Sequence, residues 1–268
     1  MFDSYNREIN YLRVSVTDRC NLRCTYCMPE AGIKLKSHAD ILPYEKIVQI
    51  AAAAVKLGIH KLRLTGGEPL VRKNITFLIR ELKAIPGISE VSMTSNGTLL
   101  DLLATDLKGA GLDRLNISLD TLDAGKYRQI TRNGDIERVF AGIRAAREAD
   151  FTVTKINMVL IPGFNDNEVE TMKNFCRKND LLLQRIHHYS LYDHETVQKE
   201  LAAERPLSCH VCNRLRLTAD GKLKPCLFSD REFTVNFSDI PASLERAVQA
   251  KPKQGVACYN RDNWQIGG

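Results

Sequence analysis

The sequence predicts an α/β protein built on a parallel sheet. Three observations carry that expectation. Strand-like runs alternate with helix-period segments up to about residue 186. The connections are short, which favours right-handed crossovers between parallel strands. Polar motifs sit at or just past the C-terminal ends of successive strands, where barrels and open α/β sheets alike place their chemistry. Periodicity alone leaves an open doubly wound sheet and an incomplete barrel both standing.

The strand-like runs are "YLRVSVT" (11–17), "KLRLT" (61–65), "EVSMT" (90–94), "RLNISL" (114–119), "TVTKINMVLI" (152–161) and "LLLQRI" (181–186). Each is β-branched or leucine-rich and runs into polar or glycine-rich residues. Apolar residues at helical spacing mark helices over 44–57, 75–84, 99–109, 136–149 and 168–178, the first with Pro43 near its start. After residue 186 the alternation stops, which divides the chain into an α/β unit, 1–186, and a smaller C-terminal module, 187–268.

A chain of 268 residues buries roughly 75% of its unfolded surface, so its core needs no covalent staples. Its 44% hydrophobic and 26% charged residues are those of an ordinary globular protein. The N-terminus "MFDSYNREIN" lacks the apolar stretch of a signal peptide, and no 18-residue apolar run occurs, so a cytoplasmic location without a membrane span is expected. In a reducing compartment eight cysteines suit metal or cluster ligation better than disulfides, because six fall into two tight groups. The formal charge of +6 is modest, and no run of five or six like charges occurs. Basic residues instead flank the motifs, which favours a small polyanion over a nucleic-acid track.

The first group, "DRCNLRCTYCMPE", holds Cys20, Cys24 and Cys27 in the spacing Cys-x3-Cys-x2-Cys. Thiolates hold the irons of a 4Fe-4S cluster and four close every iron, so three leave one iron open. An open iron can chelate the amino and carboxylate groups of S-adenosylmethionine. The spacing, with Tyr26 in its aromatic position, is similar to that of the radical S-adenosylmethionine superfamily. A zinc site borrowing a distant ligand is the alternative. Companion motifs follow on later strands: "GGEP" (66–69), "TSNG" (94–97) and "NISLD" (116–120). The pair Gly66 and Gly67 lets backbone approach a ligand, and Glu68 can accept from an ammonium group.

The second group, Cys209, Cys212 and Cys226, reads as Cys-x2-Cys-x13-Cys. Alone it is equally a zinc ribbon short of one member; beside the first group an auxiliary 4Fe-4S cluster is the better reading. Arg214 and Arg216 follow directly and would share a face if extended, a forked donor pair for phosphate or carboxylate.

The stretches "YLRVSVTDRCNLRCTYCMP", "LRLTGGEPLVR" and "CNRLRLTADGKLKPCLF" and the terminal "IGG" together closely resemble the GTP 3',8-cyclases of molybdenum cofactor biosynthesis. The likeness covers about 3–166, 208–228 and 266–268. It implies a partial (β/α)6 TIM-like barrel with a small C-terminal iron-sulfur module, two 4Fe-4S clusters and S-adenosylmethionine. In that family a deoxyadenosyl radical takes hydrogen from C3' of GTP, and the sugar radical attacks C8 of the guanine, which meets the open iron of the second cluster. Carried over by motif, the cofactor contacts are Tyr26, Gly66, Gly67, Glu68 and Ser118. The GTP contacts are Arg13, Lys61, Arg63, Thr94, Lys155, Arg214 and Arg216. The resemblance gives Arg13 and the diglycine tail, Gly267 and Gly268, catalytic roles. It also implies an electron donor, a downstream cyclic pyranopterin monophosphate synthase, no nucleic acid or membrane partner, and room for a homodimer.

Departures lie after residue 166. The segment between the sixth strand and Cys209 is shorter than the family's, Gln184 stands where the family has an arginine, and Tyr189 where it has a methionine. Arg185 is adjacent to Gln184 and so points to the other face. Cys258, if it closed the auxiliary cluster, would leave no iron for guanine; the plainer reading is a buried cysteine, as for Cys176. His187 and His188 are expected to pack or hydrogen bond locally. Two other readings stay open: a radical enzyme acting on another substrate such as a peptide, and a non-catalytic iron-sulfur sensor. Convergence of the basic residues separates the first from the GTP reading.

Overall fold

Period-2 alternation decides the architecture. In β1 (Tyr11–Ser15) and β2 (Lys61–Thr65), Leu12, Val14, Leu62 and Leu64 are fully buried, while Tyr11, Arg13, Lys61 and Arg63 alternate with them. β3 (Glu90–Ser95), β4 (Arg114–Ser118), β5 (Thr154–Leu160) and β6 (Leu182–His187) follow. Leu115, Ile117, Ile156 and Met158 join the same core, and the other face of these strands carries Asn116, Ser118 and Asn157. The apolar face packs beneath the helices and the polar face is turned inward, as in a barrel whose centre holds a ligand.

The computed structural model describes residues 1–30, 33–191, 193, 195 and 208–267. The helices between strands are α1 (Tyr44–Lys56), α2 (Ile75–Lys83), α3 (Leu100–Gly109), α4 (Ala124–Thr131), α5 (Ile136–Glu148) and α6 (Val169–Lys178). Five match the expected segments to within a residue or two. α4 was not expected: it starts at the N-cap Asp123, whose carboxylate accepts from Lys126 N at 2.8 Å.

All six strands pair in parallel in the order β6-β5-β4-β3-β2-β1, giving a partial (β/α)6 barrel. The C-terminal segment then continues the same sheet. β7 (Arg214–Leu217) pairs in parallel with the free side of β1, β8 (Lys222–Lys224) pairs antiparallel with β7, and β9 (Phe233–Thr234) antiparallel with β8. Helix α7 (Ile240–Gln249) packs Leu244, Ala247 and Val248 into the common core, and the short α8 (Asn263–Ile266) ends the described chain. Among the described residues no helix is long and apolar enough to cross a membrane.

Candidate active site

The loop after β1 carries the first three cysteines to the mouth of a cavity, which Cys20, Cys24 and Cys27 line together. Its turn closes with Cys27 N and Met28 N donating to Cys24 O, both at 2.9 Å. The end of α4 supports it from outside: Arg23 N and Thr25 N donate to Thr131 O and Ile130 O, and Arg132 Nη1 donates to the carbonyls of Arg23 and Met28. Burial pushes all three thiols up, Cys27 to about 12, and their mutual repulsion adds to the effect on Cys24 and Cys27.

The companion motifs are tied to this loop and to each other. Gly67 N and Glu68 N donate to Thr17 O and Arg19 O, both at 2.8 Å. A Cβ on Gly66 would lie 2.4 Å from Thr17 O, and one on Gly67 2.2 Å from Arg19 O; the glycines let the cysteine loop itself approach. Glu68, 1% exposed, accepts from Leu70 N, Ser95 Oγ and Asn96 N at 2.7–3.0 Å. Asn96 in turn reaches Cys20 Sγ at 3.9 Å and Asn21 Oδ1 at 2.8 Å. Tyr26 Oη donates to Asp120 Oδ2 at 2.7 Å, and Val159 N donates to the other carboxylate oxygen.

Below the cysteines the inner face is cationic. Strand register sets Arg63, Arg13 and Arg216 side by side on β2, β1 and β7. Burial first, then neighbouring guanidinium charges, holds Arg13 well below the ordinary arginine value and lowers Arg216. Arg63 and Lys155 are lowered too, again chiefly by burial, with Arg114 and Arg63 adding to the effect on Lys155. Such a group of positive charges accommodates an anion far better than empty solvent-poor space. Thr94 Oγ1 and Arg214 Nε, on residues that line the cavity, are buried atoms with no hydrogen-bond partner among the described residues. The tail reaches the same row: Gly267 O accepts from Arg13 Nη2 at 3.0 Å and Arg216 Nη1 at 3.4 Å. Gly267 has φ +75°, and a Cβ there would meet Thr65 Oγ1 at 2.1 Å.

The family model of the radical SAM superfamily matches residues 14–176. The GTP 3',8-cyclase of Moorella thermoacetica is 42% identical across 95% of this chain and 94% of its own length. That of Peptoclostridium acidaminophilum is 39% identical across 100% of this chain and 98% of its own. The chain belongs to the GTP 3',8-cyclase family. The P. acidaminophilum alignment runs over 320 positions against 268 residues, so at least 52 of its positions have no residue here. Solved structures agree on the fold. SuiB of Streptococcus suis, bound to S-adenosylmethionine, superposes with a TM-score of 0.67 at 16% identity over 92% of this chain, which spans 66% of SuiB. The protein anSMEcpe with bound AdoMet gives 0.65 at 15% identity, over 91% of this chain and 78% of its own.

GTP 3',8-cyclases, as radical SAM enzymes, use a 4Fe-4S cluster and S-adenosylmethionine. The residues present fit both. Three thiols share one wall, and the Leu22 N–H and Asn96 amide donate to Cys20 Sγ, the kind of donors that stabilise a cluster sulfur. Tyr26, Gly66, Gly67, Glu68 and Ser118 line the same cavity, as do Arg13, Arg63, Thr94, Arg214, Arg216 and Gly267. Lys61 does not: it is exposed at the start of β2 beside Tyr11 and Glu90. Lys155 lies two residues below the cavity-lining Asn157 on the same face of β5. Gly268 lies outside the described residues.

At the second group, Cys212 and Cys226 are within electrostatic reach of each other, and Cys212 N donates to Cys209 O. Burial would raise the Cys212 thiol, but the buried ammonium of Lys251, together with Arg214, brings it below the ordinary value. Cys258 is fully buried; its Sγ donates to Asn260 Oδ1 and Arg261 O, and burial, with Lys224 opposing, sets its raised thiol. These local partners are those of a packed cysteine. Gln184 and Tyr189 line the cavity, and His188 packs edge-on to Tyr26 with centroids 6.3 Å apart. Arg185, exposed and in register with the buried Met158, also lines the cavity, as do His187 and His188. Asn96 and Asp120 were missed as contacts, although both stand inside quoted motifs.

Proposed function

We propose that this chain converts GTP to (8S)-3',8-cyclo-7,8-dihydroguanosine 5'-triphosphate, a lyase step of molybdenum cofactor biosynthesis. The row Arg63–Arg13–Arg216 beneath the cysteine loop carries the reading, because a triphosphate needs guanidinium forks and a peptide substrate does not. The cluster on Cys20, Cys24 and Cys27, when bound, supplies the electron that cleaves S-adenosylmethionine. Tyr26, Glu68 and Ser118 would hold that cofactor, and Arg13, Arg63, Thr94, Arg214 and Arg216 would hold the nucleotide in the same cavity. Lys155 adds charge from the layer beneath, whereas Lys61, exposed at the far end of β2, takes no part. Cys209, Cys212 and Cys226 would hold the second cluster. Gly267, followed by Gly268, brings backbone alone to the reacting end, where a side chain would collide.

The reading brings with it an electron donor, a cyclic pyranopterin monophosphate synthase that takes the product, and a homodimer as an assembly to test. It treats 1–186 as the barrel and 187–268 as the cluster-bearing module. The decisive experiment is anaerobic: 5'-deoxyadenosine and nucleotide products are quantified from the reconstituted protein with and without GTP. GTP should stimulate deoxyadenosine and yield a cyclised nucleotide; output indifferent to GTP sinks the reading. Arg216→Ala should weaken GTP binding by ~2–5 kcal/mol, roughly 30- to 5,000-fold, measured by calorimetry.

A further inference from the structure

Asp220, in the turn between β7 and β8, stands away from the cavity wall yet touches both segments that close it. Its Oδ2 lies 3.0 Å from Lys36 Nζ, and the Lys36 N–H donates to Asp18 Oδ2 at 2.6 Å. Asp18 and Lys36 stand at the two ends of the cysteine loop. The same Asp220 oxygen accepts from Arg261 Nη1 at 3.0 Å. The rest of that guanidinium forms a fork on Glu232, Nε to Oε2 at 2.9 Å and Nη2 to Oε1 at 3.0 Å. Lys224, fully buried, lies 4.0 Å behind that carboxylate.

Arg261 immediately precedes Asp262, the N-cap of α8, and Gly267 is the C-cap of that helix. α8 has only four residues. A single turn does not sustain itself in water, because nucleation costs more than one turn of hydrogen bonds returns. Its position must come from its ends and its buried side chains. Trp264 and Ile266 are both buried. At the start, three charge-assisted hydrogen bonds hold Arg261, which is 8% exposed.

We infer that Arg261 is a positioning residue that docks the C-terminal tail into the active site, with Asp220 as the hub joining tail docking to the cysteine loop. The effect on turnover rests on the GTP reading above; the docking does not. Hydrogen exchange by mass spectrometry on the full reconstituted chain tests it without GTP. Arg261→Met should raise exchange across 262–267 about tenfold and leave 33–37 unchanged. Asp220→Asn should raise both. Exchange at 262–267 equal to wild type overturns the clasp, and loosening that extends through β1 to β5 assigns Arg261 to general stability instead.

With GTP added, deoxyadenosine formation by Arg261→Met should fall about tenfold, and Arg261→Lys, which keeps the charge without the fork, should recover part of it. Raised exchange with undiminished turnover overturns the positioning role. If wild type itself ignores GTP, the proposed function fails while the exchange result still decides the clasp. Should Arg261→Met not fold, Arg261→Lys carries the exchange test alone.

Discussion

Glu68 shows how one side chain serves both fold and site. Burial lifts its carboxyl to about 7, although hydrogen bonds from Asn96, Leu70 and Ser95 pull the other way. Because the folded value lies above the ordinary 4.5, the folded state keeps a proton that the unfolded chain releases. That contribution to stability is complete below about pH 4.5 and is lost as pH rises through about 7. The loss amounts to about 3 kcal/mol over that window. Urea midpoints measured across it should therefore fall more steeply for wild type than for Glu68→Gln, and equal slopes would refute the assignment. An ammonium group beside the carboxylate reverses the balance, so S-adenosylmethionine should bind more tightly as pH rises through the same range.

Among the elements, α4 decides where the cysteine loop sits. "AGKYRQIT" contains a glycine and a β-branched end and is two turns long, which leaves no usable period. Its carbonyls at Ile130 and Thr131 nevertheless receive the loop amides of Thr25 and Arg23. Arg132, at φ +64°, turns its guanidinium onto the carbonyls of Arg23 and Met28. Asp123→Ala removes the N-cap, and ~1 kcal/mol is the usual cost. Hydrogen exchange at the Arg23 and Thr25 amides should rise roughly fivefold with it. Unchanged protection there would mean that the loop holds itself.

Over the whole molecule, the C-terminal segment is built onto the barrel sheet. Leu215 and Leu217 on β7 are fully buried in the core that also contains Leu12 and Val14. Leu215→Ala should cost ~2–5 kcal/mol and lower the midpoint of one cooperative transition. A separate early transition for 208–267, seen by calorimetry, would argue that β7 unfolds independently of β1.

By itself the sequence determined the six-strand alternation, the two cysteine groups, and the motifs after the first four strands, because these are local: spacing along the chain sets which face a side chain takes. "YLRVS", "KLRLT" and "RLRL" even show the basic face, with arginine and leucine alternating on strands that a dry parallel sheet would fill with apolar residues. Only the tertiary structure decided that Arg63, Arg13 and Arg216 form one row, that Glu68 bonds the third strand's motif, that Asp120 holds Tyr26, and that Arg261 anchors the tail. It also kept Lys61 off the cavity wall, although the motif included it. Strand order, register and chain return are settled by burying every apolar face at once, and no stretch of sequence records which distant partner that common packing will bring beside it.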